Sequence, residues 1–186
     1  LPVKHNHIFF IFKKVKFIYN DPRRFGYVLY FKNKKELNKF IGRYGPEPFS
    51  PDFNLNYFRK YLANKEKNIK NFLLDQNFVS GIGNIYASEI LFKSKINPHT
   101  KAKYLNLKNY KDLILYSKLV LENAIKDGGS TIRDFRNTSG NIGKFQKKFK
   151  VYGRENKKCL NSKCKGRIIK KIISNRSSFF CNFCQK

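Results

Sequence analysis

All four cysteines of this chain fall near its end, as Cys159-x4-Cys164-x16-Cys181-x2-Cys184. Two close pairs separated by a spacer long enough for a β-hairpin over 167–180 bring four thiolates to one point, the pattern of a tetrahedral four-cysteine zinc site. A segment this short cannot bury a core of its own, and one structural Zn2+ takes the place of that core. Disulfides or free thiols are the alternative, and an intracellular setting disfavours disulfides. From Asn141 onward there are fourteen Lys and Arg and one acid, Glu155. The stapled hairpin is therefore coated with positive charge and reads as a nucleic-acid finger, with Asn175-Arg176-Ser177 at its tip.

The charge extends to the whole chain. Forty Lys and Arg against twelve Asp and Glu leave a net charge of +28, a field that attracts a polyanion and makes nucleic acid the leading partner. An AT-rich genome raises Lys, Asn, Ile and Phe together, but such a bias does not by itself remove the balancing acids. The longest apolar runs, such as Ile8 to Phe12, are too short to span a bilayer, and nothing resembles a cleavable signal. The expectation is a soluble, cytoplasmic, monomeric protein with no membrane partner. The chain contains no methionine, and leucine is not the small residue after which an initiator is normally trimmed, so its beginning is expected to lie upstream of Leu1.

Residues 68–93 carry the most informative local pattern. Ile69, Phe72 and Leu73 fall at i, i+3 and i+4, the apolar stripe of a short helix whose other face carries Lys70 and Asn71. Asp75-Gln76-Asn77 and Ser80-Gly81-Ile82-Gly83-Asn84 are two tight turns, with glycines free to take positive φ, before a second helix opens at about Asn84. The tip of this corner presents Asn84 and the free N–H groups of a new helix, an anion site by partial charge and by unsatisfied donors. Gly-x-Gly before a helix is also an ordinary helix start, and the corner alone does not decide between them.

Elsewhere, β-rich runs at 8–12, 15–19 and 27–31 predict two or three strands that are too few to stand alone as a sheet. Between them, Asp21-Pro22-Arg23-Arg24-Phe25-Gly26 is either an idle charged turn or a wedge, with Phe filling a gap in a base stack and Arg replacing lost base hydrogen bonds. Gly45-Pro46-Glu47-Pro48 is a stiff linker, and Asp52 is a suitable N-cap for a helix through Leu62. Leu107, Tyr110, Leu113, Ile114, Ser117, Val120, Leu121, Ala124 and Ile125 hold a 3.6-residue period, a core stripe ended by Gly128-Gly129. Residues 128–145 form a long polar loop, a lid or a disordered connection.

Taken together, Asp-Pro-Arg-Arg-Phe-Gly at 21, Gly-Pro-Glu-Pro at 45, Gly-Ile-Gly-Asn-Ile-Tyr-Ala-Ser-Glu at 81, Val-Tyr-Gly-Arg at 151 and the terminal Cys-x2-Cys-Gln-Lys resemble bacterial formamidopyrimidine-DNA glycosylase. The related endonuclease VIII enzymes share the corner and finger, while the loop at 21 is similar to the formamidopyrimidine branch. The resemblance implies an α+β protein: residues 1–47 as the later part of a β-sandwich catalytic domain, 48–147 as a helix-two-turns-helix domain with a lesion-capping loop at 128–145, and 148–186 as a zinc finger. It implies a base-excision repair enzyme, an 8-oxoguanine and formamidopyrimidine glycosylase with abasic-site lyase activity, acting on damaged double-stranded DNA in the bacterial cytoplasm at the nucleoid. By position, His5, Arg23 and Lys65 match DNA contacts, Phe25 the wedge, and Lys70 and Asn84 the residues holding the phosphates beside the extruded nucleotide. Arg176 matches the finger arginine that grips phosphate and is assigned the final δ-elimination. Thr131, Ile132, Arg133, Asp134 and Phe135 match the loop that closes over the flipped base. His5 and Lys65 are equally readable as plain surface residues.

Two departures stand against the family pattern. Four residues, Leu160 to Lys163, separate the first cysteine pair where the family usually has two. The family's chemistry starts from an N-terminal proline followed by glutamate, whose secondary amine attacks the sugar to form an iminium; Pro2 is followed by Val3 and Lys4 and aligns inside the family's first domain. The expectation is a chain that binds damaged DNA and lacks that Pro-Glu nucleophile, which is supplied, if at all, by an upstream segment or a separate N-terminal polypeptide. A non-enzymatic damaged-DNA-binding module and an RNA-binding zinc protein are the alternatives; the second leaves the loop at 21 and the corner unexplained.

Overall fold

The computed structural model describes residues 3–130 and 143–186, and the chain divides into two compact units, 1–41 and 42–186. Thr131 to Phe135, matched to the lesion loop, lie outside the described residues.

In the first unit a 3-10 turn, Val3–His5, leads into an antiparallel hairpin of β1 (Asn6–Ile11) and β2 (Lys16–Asn20), with Phe9 opposite Ile18 and Ile11 opposite Lys16. β-branched and aromatic residues favour this extended backbone. Both faces of the hairpin stay open: the neighbours Phe9 and Phe10, which point to opposite faces, are 46% and 41% exposed. The third expected strand is not formed. Tyr27–Phe31 is extended in sequence character, but a strand requires a ladder, and no described segment is laddered to it. Helix α1 (Lys34–Ile41) closes the unit, begun by the Asn33 side chain accepting from the Glu36 amide at 3.0 Å.

The second unit is helical with a terminal hairpin. Helix α2 (Leu55–Leu62) is capped by Asn54, whose side chain accepts from the Tyr57 amide at 3.0 Å, rather than by Asp52. Both are good caps, and Phe53, only 1% exposed between them, fixes the turn so that Asn54 stands at the helix start. Helices α3 (Ile69–Leu74) and α4 (Asn84–Lys93) pack with α5 (Leu107–Lys126) around Phe58, Leu73, Phe78, Ile82, Ile90 and Leu113. Burying side chains of this size stabilises the unit by roughly 1.5–3 kcal/mol each.

Helix α5 starts with a reciprocal capping box between Asn106 and Asn109. It stops where Gly128 and Gly129 take φ of 72° and 86° and their amides return to Ile125 and Ala124 at 3.0 and 2.8 Å. Its stripe is buried or partly buried from Tyr110 to Ala124, but the outermost expected members, Leu107 and Ile125, are 48% and 68% exposed. No described helix is long and apolar enough to cross a membrane. The last segment forms an antiparallel hairpin, β3 (Ile168–Ile173) with β4 (Arg176–Cys181). Four strands in two separate two-stranded sheets are the β-structure of the described residues.

Candidate nucleic-acid interface

The corner between α3 and α4 is built by local hydrogen bonds. The Asp75 side chain accepts from the Asn77 amide at 2.9 Å, and its carbonyl from Phe78 and Val79 at 2.9 and 3.0 Å. The Gln76 side chain accepts from Gly81 at 3.1 Å. Of the two glycines expected to need positive φ, Gly81 does, at 84°, while Gly83 is extended at φ −97° as the residue before α4. Phe78, fully buried, anchors the corner from beneath. Tyr57 stacks on it at 5.6 Å and donates its hydroxyl to the Phe78 carbonyl at 2.7 Å. Burial pushes the Tyr57 phenol up to about 12.

The finger is built by its cysteines. All four Sγ atoms lie within 4.8 Å of one another. Cys159 to Cys184 is 3.8 Å and Cys164 to Cys181 is 3.5 Å, close to the about 3.8 Å edge of a tetrahedron with Zn–S bonds of about 2.3 Å and far from the about 2.05 Å of a disulfide. Amides of Asn161, Gly166 and Phe183 approach the sulfurs of Cys159, Cys164 and Cys181 at 3.5, 3.3 and 3.4 Å, the donors that thiolates need. The four-residue spacing of the first pair is accommodated by this arrangement. A small core of Phe92, Val151, Ile168 and Phe179 packs beside the sulfurs.

Ser174 and Asn175 turn the hairpin with φ of 48° and 58°, the geometry of a tight two-residue turn whose twist matches the strands. The tip lands on the corner. Ser174 Oγ donates to Asn71 Oδ1 at 2.9 Å. The Ser177 carbonyl accepts from Asn84 Nδ2 at 3.0 Å and from Lys70 Nζ at 3.2 Å, and Lys70 Nζ also donates to Ser178 Oγ at 2.5 Å. The polar face of α3 is thus not in solvent: Lys70 is fully buried under the hairpin. Burial, with the Arg176 guanidinium adding like-charge repulsion, pulls its ammonium down to about 8. Arg176 itself, first residue of β4, is exposed.

The structure therefore gathers Lys70, Asn84 and the Arg176 strand at one place. Lys65 is exposed just after α2, and none of the described contacts ties it to that group. In the first unit, Asp21 organises the loop: its carboxylate accepts from the amides of Arg23, Arg24 and Gly26 at 3.0, 3.0 and 2.7 Å. The Gly26 bond, more than the others, holds its carboxyl below the usual range. The loop presents Phe25, 76% exposed, with the Arg23 guanidinium 4.8 Å from its ring. His5 ends the 3-10 turn and its carbonyl accepts from the Asp21 amide at 3.0 Å. Two residues join the site that were not expected there from the sequence: Ser178, whose hydroxyl meets Lys70, and Glu89, a buried acid on α4. A glutamate inside the apolar run from Ile85 to Phe92 is the signal that was there to read.

Corner, docked hairpin tip and four-cysteine cluster define a helix-two-turns-helix DNA-binding protein with a metal-type finger. A profile of the formamidopyrimidine-DNA glycosylase H2TH domain matches residues 44–136. Formamidopyrimidine-DNA glycosylase of Legionella pneumophila (strain Lens) is 42% identical over 185 residues, 99% of this chain and 67% of the relative. That of Wolbachia sp. subsp. Drosophila simulans (strain wRi) is 43% identical over 184 residues, 98% of this chain and 66% of the relative. Among solved structures, the MutM (Fpg) protein of Thermus thermophilus superposes with a TM-score of 0.87 at 32% identity, over 100% of this chain and 70% of that one. The Lactococcus lactis Fpg in complex with DNA containing an abasic site gives 0.87 at 36% identity, over 100% and 68%. The chain belongs to the formamidopyrimidine-DNA glycosylase family of base-excision DNA-repair enzymes, and spans about two thirds of the length of the relatives it matches.

Proposed function

We propose that this chain is the DNA-gripping part of a formamidopyrimidine and 8-oxoguanine DNA glycosylase with abasic-site lyase activity, working on damaged double-stranded DNA in the cytoplasm. The observation that carries the reading is the junction at Ser177, where Lys70 and Asn84 meet the strand that begins with Arg176. An exposed guanidinium, an amide with a second N–H to give, and the unsatisfied amides of the first turn of α4 converge beside one another, the donor set that holds backbone phosphates. A lesion enzyme must extrude its nucleotide, and gripping the phosphates on either side of it is what offsets the cost of unstacking.

In this reading Phe25, backed by Arg23, fills the gap left in the stack, and His5 and Lys65 add phosphate contacts. Thr131 to Phe135 close over the extruded base. Arg176 also assists the last elimination step by stabilising the leaving phosphate. Cys159, Cys164, Cys181 and Cys184 hold one zinc, whose part is to fold the finger that carries Arg176. Residues 1–47 serve as part of a β-sandwich, 48–147 as the helical DNA-binding domain and 148–186 as the finger.

The test is electrophoretic or anisotropy binding to a duplex with one abasic-site analogue. The reading expects tighter binding than to the undamaged duplex; equal affinity for both, in a protein with its finger folded, would count against it.

A further inference from the structure

Glu89, in the middle of α4, is 3% exposed and is the one buried acid among the described residues. In a chain with 40 Lys and Arg, the expected partner of a buried carboxylate is a cation, because a buried unpaired charge is costly. Its described partners are instead three successive backbone amides. Oε1 accepts from Lys150 at 3.1 Å, Val151 at 3.0 Å and Tyr152 at 2.9 Å, and Oε2 accepts from Lys150 at 2.9 Å. Consecutive N–H groups turned to one point form an anion nest, and here the protein's own side chain fills it.

The nest stands at the root of the finger. Val151 is fully buried in the finger core, against Phe92 of the same helix α4. Tyr152 packs edge-on against Phe179 of β4 at 4.9 Å. At the other end of the finger, Asn84 reaches the Ser177 carbonyl. Asn84 and Glu89 lie five residues apart on α4, about 7.5 Å of helix rise. One short helix therefore holds the finger at its root through Glu89 and at its tip through Asn84.

We infer that Glu89 is a positioning residue for the grip on DNA: by fixing the backbone of 150–152 to α4 it sets where Arg176 stands relative to Asn84. The inference rests on the reading of Asn84 and Arg176 as phosphate contacts. Glu89 itself meets no DNA; it acts through the finger. Glutamine at this position keeps the shape and can leave its oxygen on the three amides, but it loses the charge and turns its NH2 toward the Lys150 amide that Oε2 accepts from, whereas aspartate keeps the charge one methylene short of the nest.

The test is a double-mutant cycle in the full chain, reading affinity for a duplex with one tetrahydrofuran abasic analogue, with zinc content and circular dichroism read alongside. Glu89→Gln is expected to weaken binding about tenfold, the loss of roughly one charge-assisted hydrogen bond's worth of organisation. In an Arg176→Ala background the same change is expected to cost less than about twofold, because there is no longer an arginine to place. Glu89→Asp, which retains the anion and protects against a misfolded glutamine variant, is expected to fall between parent and Glu89→Gln and to show the same dependence on Arg176. Equal losses in both backgrounds, or full affinity in either folded Glu89 variant, would overturn the inference while leaving the DNA-binding reading in place. Unchanged affinity in Arg176→Ala alone would overturn both.

Discussion

The side-chain amide of Asn84 donates to the main-chain carbonyl of Ser177 across 3.0 Å, joining the first residue of α4 to the second residue of β4. Asn84 has two amide hydrogens, so one can hold the hairpin while the other meets a phosphate. Asn84→Ala is expected to weaken duplex binding by about 1–2 kcal/mol, and so is Arg176→Ala. The double variant should lose less than the sum, since removing Asn84 already loosens the strand that carries Arg176. Anisotropy titrations of the four proteins check this, and full additivity would mean that the Ser177 contact has no part in placing the arginine.

Lys70 gives a pH signature. Its ammonium is pulled down to about 8 from an ordinary value of 10.5, chiefly by burial. Below pH 8 the folded and unfolded chains both hold the proton and the folded state bears the full cost of burying it. Between pH 8 and 10.5 only the unfolded chain holds it, so stability rises with pH by up to about 3 kcal/mol. DNA affinity should move the opposite way in the same window, because a cation beside the phosphates is lost. Urea unfolding of parent and Lys70→Met from pH 7 to 10.5 isolates this group: the difference between the two should change with pH, and a constant difference contradicts the assignment.

Metal analysis should return about one zinc per chain. Cys181→Ser, or a strong chelator, is expected to remove it and unfold the finger. The helical signal in circular dichroism should be largely kept, because the helices share a large core of their own and, of their buried residues, only Phe92 of α4 packs into the finger's core. A metal-free protein whose finger amides remain protected from hydrogen exchange would contradict the site.

The parts that could be read from the sequence were those set by short-range rules. Cysteine spacing, the two turns of the corner and the period of α5 each depend on residues within a few positions of one another. What escaped was decided at a distance. Lys70 reads as the wet side of a short helix and is buried only because Ser177 and Ser178, more than a hundred residues later, fold over it. Glu89 was legible as an odd acid in an apolar helix, but its partners at 150–152 are 61 to 63 residues away. Asp52 and Asn54 are both good caps, and the burial of Phe53 chose between them. Tyr27–Phe31 has strand composition, and composition cannot supply a ladder.

Gly45 is a packing constraint in the linker. A Cβ there would run into the Phe78 carbonyl and stand 2.8 Å from the Asn77 carbonyl oxygen, both backbone groups that cannot turn aside. Its own amide donates to the Gln76 carbonyl at 2.8 Å. Gly45→Ala should therefore destabilise the 42–186 unit by about 1–3 kcal/mol, read as a lower urea midpoint at unchanged slope. An unshifted midpoint would show that the linker is not seated on the corner.

Competition at several salt concentrations shows whether corner and finger together grip damaged duplex DNA. The full chain is bound to a labelled duplex with one abasic-site analogue and challenged with the same duplex undamaged and with a structured RNA of equal length. Unlabelled abasic duplex is expected to displace the labelled duplex at a lower concentration than either challenger, with affinity falling steeply as salt rises because neutralised phosphates release counterions. Displacement by the RNA as readily as by abasic DNA would contradict this expectation.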